Sequence, residues 1–402
     1  MYAGQRLNTI ILFSCIFLFV GTEVLLSPFY PQFFEKVFGI DDLSFTGMYV
    51  FLCRLTVVLI SPIWGLLAKR FDAKSLLLIG QTGTALACVL MAMSQTEQQF
   101  LIFSICLLVF KSSYLLLYTI LIQHAGKAKK RVTGLYHAVF QSSVVVATLA
   151  SSWVIQLDDP LVVFWWAAAL DAIQAIVCFL VFSRMSAFVA VAKEPEAIRK
   201  RVTGFGFLIK MAMIIFTLHF SVTLVRPFFT LFSEQELHTS VFSSSLLFLV
   251  PSIMAVAAAP LIIKCRTEKL SSLYKIAGII LAVSLLFQGI VTSLPLFVLF
   301  RCLFGLALAI CQASLEIVLF QRGGNVHYQY GIMSAFQNIG LLLAPLAATF
   351  LVNNYTLQHP FLYASVAIAV HLALVLMTIY SKTGIQEEEK IVAEQEKQRY
   401  VG

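Results

Sequence analysis

The residues best suited to chemistry in this sequence are seven charged side chains that lie inside otherwise apolar stretches. Four are basic and three are acidic: Arg54, Lys111, Arg226 and Arg301, then Glu23, Asp171 and Glu316. A charge at the centre of a membrane helix costs at least about 2.5–3.5 kcal/mol, so such residues face cavities, pair with one another or carry substrates and protons. The segment "LLVFKSSYLLLY", residues 107–118, shows the conflict most directly, because Lys111 interrupts a run that suits lipid.

Polar residues recur at helical spacing around these charges. Lys111, Tyr114 and Tyr118 stand at i, i+3 and i+7, so they share one helix face. We predict that this face and similar polar stripes elsewhere line a substrate cavity; the alternative is that they bond neighbouring helices. The predicted substrate-binding residues are Lys111, Tyr114, Tyr118, Arg54, His219, Arg226, Arg301, Gln312, Gln141, Gln337 and Asn338.

Proton coupling is assigned to Glu23 and Lys111. Glu23 and Lys111 fall at similar depths of their apolar runs, so an acid and a base could pair there and offset part of each desolvation cost. The alternative for the two residues is a static structural ion pair. Asp171 and His371 are interpreted as packing residues, and Glu316, near the end of its run, as a gate or capping residue.

The elements that must position these residues are membrane helices. The 402-residue chain is 60% hydrophobic and only 12% charged, with a mean hydropathy of +0.90, whereas soluble domains are roughly 45–50% apolar and about 25% charged. Apolar runs and turn signals predict an all-α membrane protein with twelve transmembrane helices. We number these spans 1 to 12: residues 9–30, 44–68, 75–94, 98–124, 132–156, 160–184, 205–232, 241–264, 271–293, 294–320, 329–353 and 360–381.

Lys and Arg are distributed very unevenly around these spans. Of the 28 such residues, 23 lie in the loops, the tails or the span ends on the side that holds both termini, four lie deep inside spans, and Lys36 alone falls on the opposite side. Basic loops stay in the cytoplasm, so both termini are predicted to be cytoplasmic. The net charge of +8 then describes loops that face anionic lipid, and no nucleic-acid partner is expected.

The two halves of the chain repeat one another. "SPFYPQFFE" near the end of span 1 is echoed by "RPFFTLFSE" near the end of span 7, and Pro62 and Gly80 are echoed by Pro260 and Gly278, all at offsets near 198. We predict two pseudo-symmetric six-helix bundles, residues 1–184 and 205–381, with a cytoplasmic linker at 185–204 and a charged tail at 382–402. A parallel repeat of this kind favours a substrate site near the midplane.

The loop after span 2 reads "GLLAKRFDAKS" and resembles the signature loop of the major facilitator superfamily. The matching positions predict a conformational motif at Gly65, Arg70, Asp72 and Lys74, although Lys69 replaces an acidic residue that is usual in that loop. The resemblance implies the twelve-helix fold of that family, with spans 1, 4, 7 and 10 around the cavity. It points to a branch that resembles drug, metabolite and siderophore transporters.

The predicted function is secondary active transport of a small organic solute, coupled to protons, by alternating access. The seven buried charges sum to +1, which favours a solute with anionic groups, such as an organic acid or a carboxylate siderophore. A multidrug/proton antiporter for amphipathic drugs is the alternative. No phosphate-binding loop of the G-x-x-x-x-G-K-[ST] type is present, so ATP is not expected to drive transport.

Two other classes fit less well. An intramembrane enzyme would need a catalytic motif such as H-E-x-x-H or G-x-S-x-G, and neither occurs. A non-transporting membrane sensor would need an output domain, for which the linker and tail are too short. No cofactor or metal is expected, and the protein is predicted to be a monomer in the bacterial inner membrane.

Overall fold

The computed structural model describes residues 3–68, 70–114, 116–117, 120–121, 129–182, 205–264, 267–321 and 326–378. All regular elements in these ranges are helical. By length and composition, nine described helices can cross a membrane, and two shorter apolar helices, Ala138–Val154 and Ser272–Gln288, fall on spans 5 and 9. Span 4 contains the helix Glu97–Lys111, so each of the twelve predicted spans has its helix and the fold class is confirmed.

The helices lie within a few residues of the predicted spans. Spans 1, 4 and 7 are each broken into shorter segments, whereas the other nine each contain one helix. From span 1 to span 12 the bounds are Ala3–Val24 with Ser27–Phe29 and Tyr30–Phe38, Leu43–Leu67, Ala73–Ala92, Glu97–Lys111 with Ser112–Tyr114, Lys129–Val154, Val162–Phe182, Phe205–Leu224 with Phe229–Gln235, Val241–Lys264, Thr267–Gln288, Leu294–Gln321, Val326–Asn354 and His359–Thr378.

Span 1 differs from its predicted bounds because of proline. The sequence predicted that it ends at residue 30, but its first helix ends at Val24, and after a 3-10 turn the chain continues as a helix to Phe38. Pro28 has no N–H to donate, and it disfavours helical geometry in the residue before it. Span 7 breaks in the same way beside Pro227, so the repeated sequence produces a repeated kink.

Several spans begin at side chains that cap the helix. Asp42 accepts a hydrogen bond from the backbone N–H of Ser44 at 2.8 Å, and Thr96 accepts one from Gln99 at 3.3 Å. Each cap satisfies a backbone donor that has no partner within the helix. Spans 2 and 4, which carry Arg54 and Lys111, therefore begin at defined residues.

The chain divides into two compact units. The first contains Met1–Pro195 with Pro227–Leu246, and the second contains Glu196–Arg226 with Leu247–Gly402. Inside each unit a glycine lets two spans approach closely: a Cβ on Gly83 would meet the Phe110 ring, and one on Gly278 would meet Leu372. The predicted linker 185–204 and tail 382–402 lie outside the described residues, and the predicted domain boundaries stay predictions.

Candidate functional site

A cavity of about 130 Å³ lies inside the first unit. It is bordered by spans 1, 2, 3, 4 and 6, and its lining is mostly apolar with a few polar and charged groups. The lining residues are Thr22, Glu23, Val24, Leu25, Leu26, Ser27, Tyr30, Tyr49, Val50, Cys53, Arg54, Val57, Met91, Ser104, Leu107, Leu108, Val163, Phe164 and Ala167.

Two of the predicted site residues, Glu23 and Arg54, meet at this cavity. Glu23 is half-buried where the first helix of span 1 ends, and Arg54 is exposed at the middle of span 2. Neither side chain has an ion pair within 4.0 Å with another described residue. The lining of the cavity therefore includes one acid and one base.

Aromatic and hydroxyl groups form another part of the lining. Tyr49 donates a hydrogen bond to Ser104 at 3.0 Å, and the rings of Tyr30 and Tyr49 meet edge to face, 4.9 Å apart. Sequence reasoning did not assign these residues or Cys53 to the site. Tyr49, Cys53 and Val57 are spaced i, i+4 and i+8 beside Arg54, and that spacing could have revealed the face of span 2.

Lys111 is buried behind this cavity, with only 2% of its surface exposed. Its ammonium group donates to the Thr22 hydroxyl at 2.7 Å and lies 4.7 Å from the centroid of the Phe19 ring, on which Tyr114 stacks at 4.9 Å. As far as the structure describes the cavity lining, it includes Thr22 but not Lys111. Lys111 therefore contacts the residue next to Glu23, and no ion pair joins it to a described acid within 4.0 Å.

The backbone around Lys111 helps to stabilise its charge. The α-helix of span 4 ends at Lys111 and tightens into a 3-10 turn at Ser112–Tyr114. A cation in the last turn of a helix interacts favourably with the helix dipole. Asp171 on span 6 is 2% exposed, and its carboxyl group lies 3.9 Å from the Cys88 thiol. It is within electrostatic range of Lys111. These features explain how a lysine is tolerated at this depth.

Arg301 is also buried, with 3% of its surface exposed, but in the second unit. Its guanidinium donates to the Leu247 carbonyl at 3.1 Å and to the Gln288 side chain at 3.3 Å, and lies 5.2 Å from the Phe304 ring centroid. These contacts connect spans 8, 9 and 10. The visible role of Arg301 is helix packing, and its predicted contact with substrate stays a prediction.

The remaining predicted residues occupy varied positions. Arg226 is exposed beside the break of span 7 and lies 5.6 Å from the Phe248 ring centroid. His371, assigned to packing, bonds Thr217 at 2.9 Å and Tyr274 at 2.5 Å. Gln141 is exposed, Tyr118 lies outside the described residues, and the half-buried members of the set are His219, Gln312, Gln337 and Asn338.

The loop between spans 2 and 3 has the geometry of a helix start. Asp72 caps the helix of span 3 by accepting from the backbone N–H of Lys74 at 3.3 Å. Lys74 is buried, whereas Gly65 and Arg70 are exposed. The structure thus gives Asp72 a definite local role, and the predicted conformational function of the four residues stays a prediction.

The second helices of spans 1 and 7 and the start of span 8 share a hydrogen-bond network that the sequence did not reveal. Gln32 donates to Thr230 at 3.2 Å and to Glu234 at 3.3 Å, and Ser244 donates to Glu234 at 3.0 Å. Thr230 also donates to the Pro28 carbonyl. Gln32, Thr230 and Glu234 lie in the helices that follow the two proline breaks, where helical periodicity is interrupted and a spacing argument fails.

Three solved structures of transporters align with almost the full length of this chain. A human organic anion transporter, MFSD10, aligns at 15% identity over 93% of this chain and 100% of its own, with a TM-score of 0.63. The nucleoside transporter NupG aligns at 14% identity over 93% and 100%, with a TM-score of 0.70. A bacterial homologue of the human lysosomal transporter Spinster aligns at 12% identity over 94% and 97%, with a TM-score of 0.76.

At such identities these likenesses show the fold alone. No curated protein sequence is significantly similar to this chain. The sequence profile of the Major Facilitator Superfamily, however, matches residues 12–265 and 211–399, which together cover almost the whole chain. This multi-pass membrane protein belongs to the major facilitator superfamily.

Proposed function

We propose that this protein is a proton-coupled secondary transporter for a small organic solute with anionic groups, such as an organic acid or a carboxylate siderophore. The observation that carries the proposal is the cavity that Glu23 and Arg54 line together. Arg54 receives the anionic group of the solute, because a guanidinium binds carboxylates through paired hydrogen bonds. Glu23 carries the proton, and alternating access moves both across the bilayer.

The proposal includes a location and an assembly. The protein acts as a monomer in the bacterial inner membrane. Both termini lie in the cytoplasm, because the Lys and Arg residues outside the span interiors are concentrated on the side of the termini. Reporter fusions at each terminus test this orientation. A fusion that is active only outside the cytoplasm would contradict it.

Uptake into proteoliposomes tests the coupling. The purified protein is reconstituted with an imposed pH gradient, and accumulation of radiolabelled organic acids is measured. We expect Glu23→Gln to abolish gradient-driven accumulation while exchange of the same solute between two compartments persists, because exchange needs no net proton movement. The matched control is Glu35→Gln, which changes an exposed acid on the second helix of span 1. Unchanged gradient dependence in Glu23→Gln contradicts the proposal.

The alternative, a multidrug/proton antiporter, is favoured by one observation, namely the aromatic and aliphatic character of much of the cavity lining. An antiporter expels solute as protons enter, so an inward proton gradient would drive drug out of cells or vesicles. Movement of a cationic dye in the direction opposite to the proton flow, without accumulation of any organic acid, would favour this alternative.

A further inference from the structure

The cavity of the first unit contains two opposite charges and a largely apolar wall. Glu23 and Arg54 both line it, and neither forms an ion pair within 4.0 Å with a described residue. The walls come from leucine and valine side chains together with Tyr30, Tyr49 and Phe164. Such a lining suits a solute with an apolar body and one charged group, because only a few polar groups in it can fix an orientation.

The volume of the cavity limits the size of that apolar body. At about 130 Å³ it is close to an engineered apolar cavity of roughly 150 Å³ that binds benzene. Tyr30 and Tyr49 already meet edge to face, so another aromatic ring has an edge and a face to pack against. A single ring or a branched chain of similar size therefore fits.

The charge of the solute determines whether Glu23 must be protonated when the solute binds. A carboxylate that binds Arg54 enters the same small cavity as the Glu23 carboxylate. Two carboxylates that share a site of low polarity repel each other strongly unless one proton is held between them. Among the described residues, the titratable and charged groups on the surrounding helices include Tyr30, Tyr49, Cys53, Arg54, Cys88, Lys111, Tyr114, Tyr136 and Asp171.

We propose that this cavity binds a small aromatic or branched monocarboxylate and one proton together, with the solute carboxylate on Arg54 and the proton on Glu23. The inference rests on the proposed function and sharpens it, because it fixes both the class of solute and the direction of coupling. Solute and proton then favour each other's binding and travel in the same direction. By linkage the effect is reciprocal, so removing the proton weakens solute binding to the same extent.

Calorimetric titration of the purified protein with benzoate, and with neutral benzamide as a shape-matched probe, tests this. Between about pH 6 and about pH 8 benzoate stays ionised, so any change in its affinity reports on the protein. We expect benzoate affinity to fall with rising pH, by up to roughly tenfold per pH unit, because each bound benzoate brings one proton with it. Titrations in buffers of different ionisation enthalpy should show uptake of one proton per benzoate, and benzamide should show neither effect.

Three variants and one control make the result specific. Glu23→Gln imitates the protonated acid, so benzoate should bind at all these pH values with no pH dependence and no proton uptake. Arg54→Gln should abolish benzoate binding, whereas Arg54→Lys, which keeps the charge, should retain part of it even if the glutamine variant folds poorly. Glu35→Gln is the control and should behave as the unaltered protein, because Glu35 is exposed outside the cavity.

The failures are distinguishable. Benzoate binding that is independent of pH in the unaltered protein overturns the shared binding of proton and solute. A lack of benzoate binding at every pH overturns the solute class, and proton-driven uptake of a different organic acid would then leave the proposed function intact. Equal binding of benzoate and benzamide, unaffected by Arg54→Gln, overturns the assignment of Arg54.

Discussion

Replacement of Lys111 by methionine tests how the first unit tolerates a buried cation. Methionine keeps an unbranched apolar side chain of similar length but removes the charge. Lys111→Met loses the charged hydrogen bond to Thr22, worth about 1.5–3 kcal/mol, and the contact with the Phe19 ring, worth about 0.5–2 kcal/mol. It also leaves Asp171 buried without the nearby cation. Because no ion pair joins the two residues within 4.0 Å, this electrostatic contribution adds less than a direct buried pair would.

These terms overlap, so we expect a loss of about 3 kcal/mol in the free energy of unfolding. For a unit of this size, 1 kcal/mol shifts the melting temperature by roughly 2–4 °C, so the expected fall is roughly 6–12 °C. Intrinsic-fluorescence melting of the detergent-solubilised protein measures it. The control is Lys210→Met, which removes a lysine that is exposed on span 7, and its melting temperature should change little.

A second substitution separates the electrostatic cause from lost packing. Asp171→Asn removes the other charge, so the double variant with Lys111→Met should regain about 1–3 kcal/mol relative to Lys111→Met alone, as coupled neighbours do. We expect this stabilised double variant to remain inactive in proton-driven uptake, because the predicted coupling role requires the charge of Lys111. Strictly additive losses in the double variant would refute the electrostatic pairing, and full transport activity would refute the coupling role.

Three further predictions concern helix contacts, and melting of each purified variant measures them. Gly305→Ala should cost about 1–3 kcal/mol, because its Cβ would lie 2.6 Å from the Pro251 Cα; a neutral result would contradict this close approach. Tyr274→Phe should cost about 0.5–1.5 kcal/mol by removing the hydroxyl bonded to His371, with no loss expected if that bond is absent. Thr230→Val should cost about 1 kcal/mol by breaking the hydrogen bonds of Thr230 with Gln32 and the Pro28 carbonyl, and unchanged stability would argue against them.

The sequence predicted the number of spans well because span length and hydropathy are local properties. Each run of apolar residues must satisfy its own backbone hydrogen bonds inside lipid, so a helix follows from composition without knowledge of its neighbours. The prolines of the repeat could have corrected the ends of spans 1 and 7, since Pro28 and Pro227 stand at both breaks. The sequence alone does not predict how these two proline breaks change which residues of neighbouring spans contact one another.

The neighbours of Lys111 show why contacts are harder to predict than helices. Periodicity places Lys111 and Tyr114 on one face, but it does not fix how far span 4 rotates about its own axis. The 3-10 turn at Ser112–Tyr114 also changes the angle between successive residues just after Lys111. As a result the ammonium group contacts Thr22, one residue from the predicted partner Glu23. The similar depth of Glu23 and Lys111 in their spans correctly indicated that the two regions lie close together. It did not determine which side chain of span 1 bonds Lys111.

The repeat preserves the fold of the two halves without preserving their charges. Asp171 and His371 stand 200 positions apart on spans 6 and 12 and both are buried, yet one is an acid near a thiol and the other an imidazole held by two hydroxyls. Arg54 faces a cavity in the first unit, whereas the guanidinium of Arg301 in the second is engaged by a carbonyl and an amide oxygen. A cation whose donors are already occupied offers less to an incoming carboxylate. Charge recognition is therefore expected mainly at Arg54, in the half that also carries Glu23.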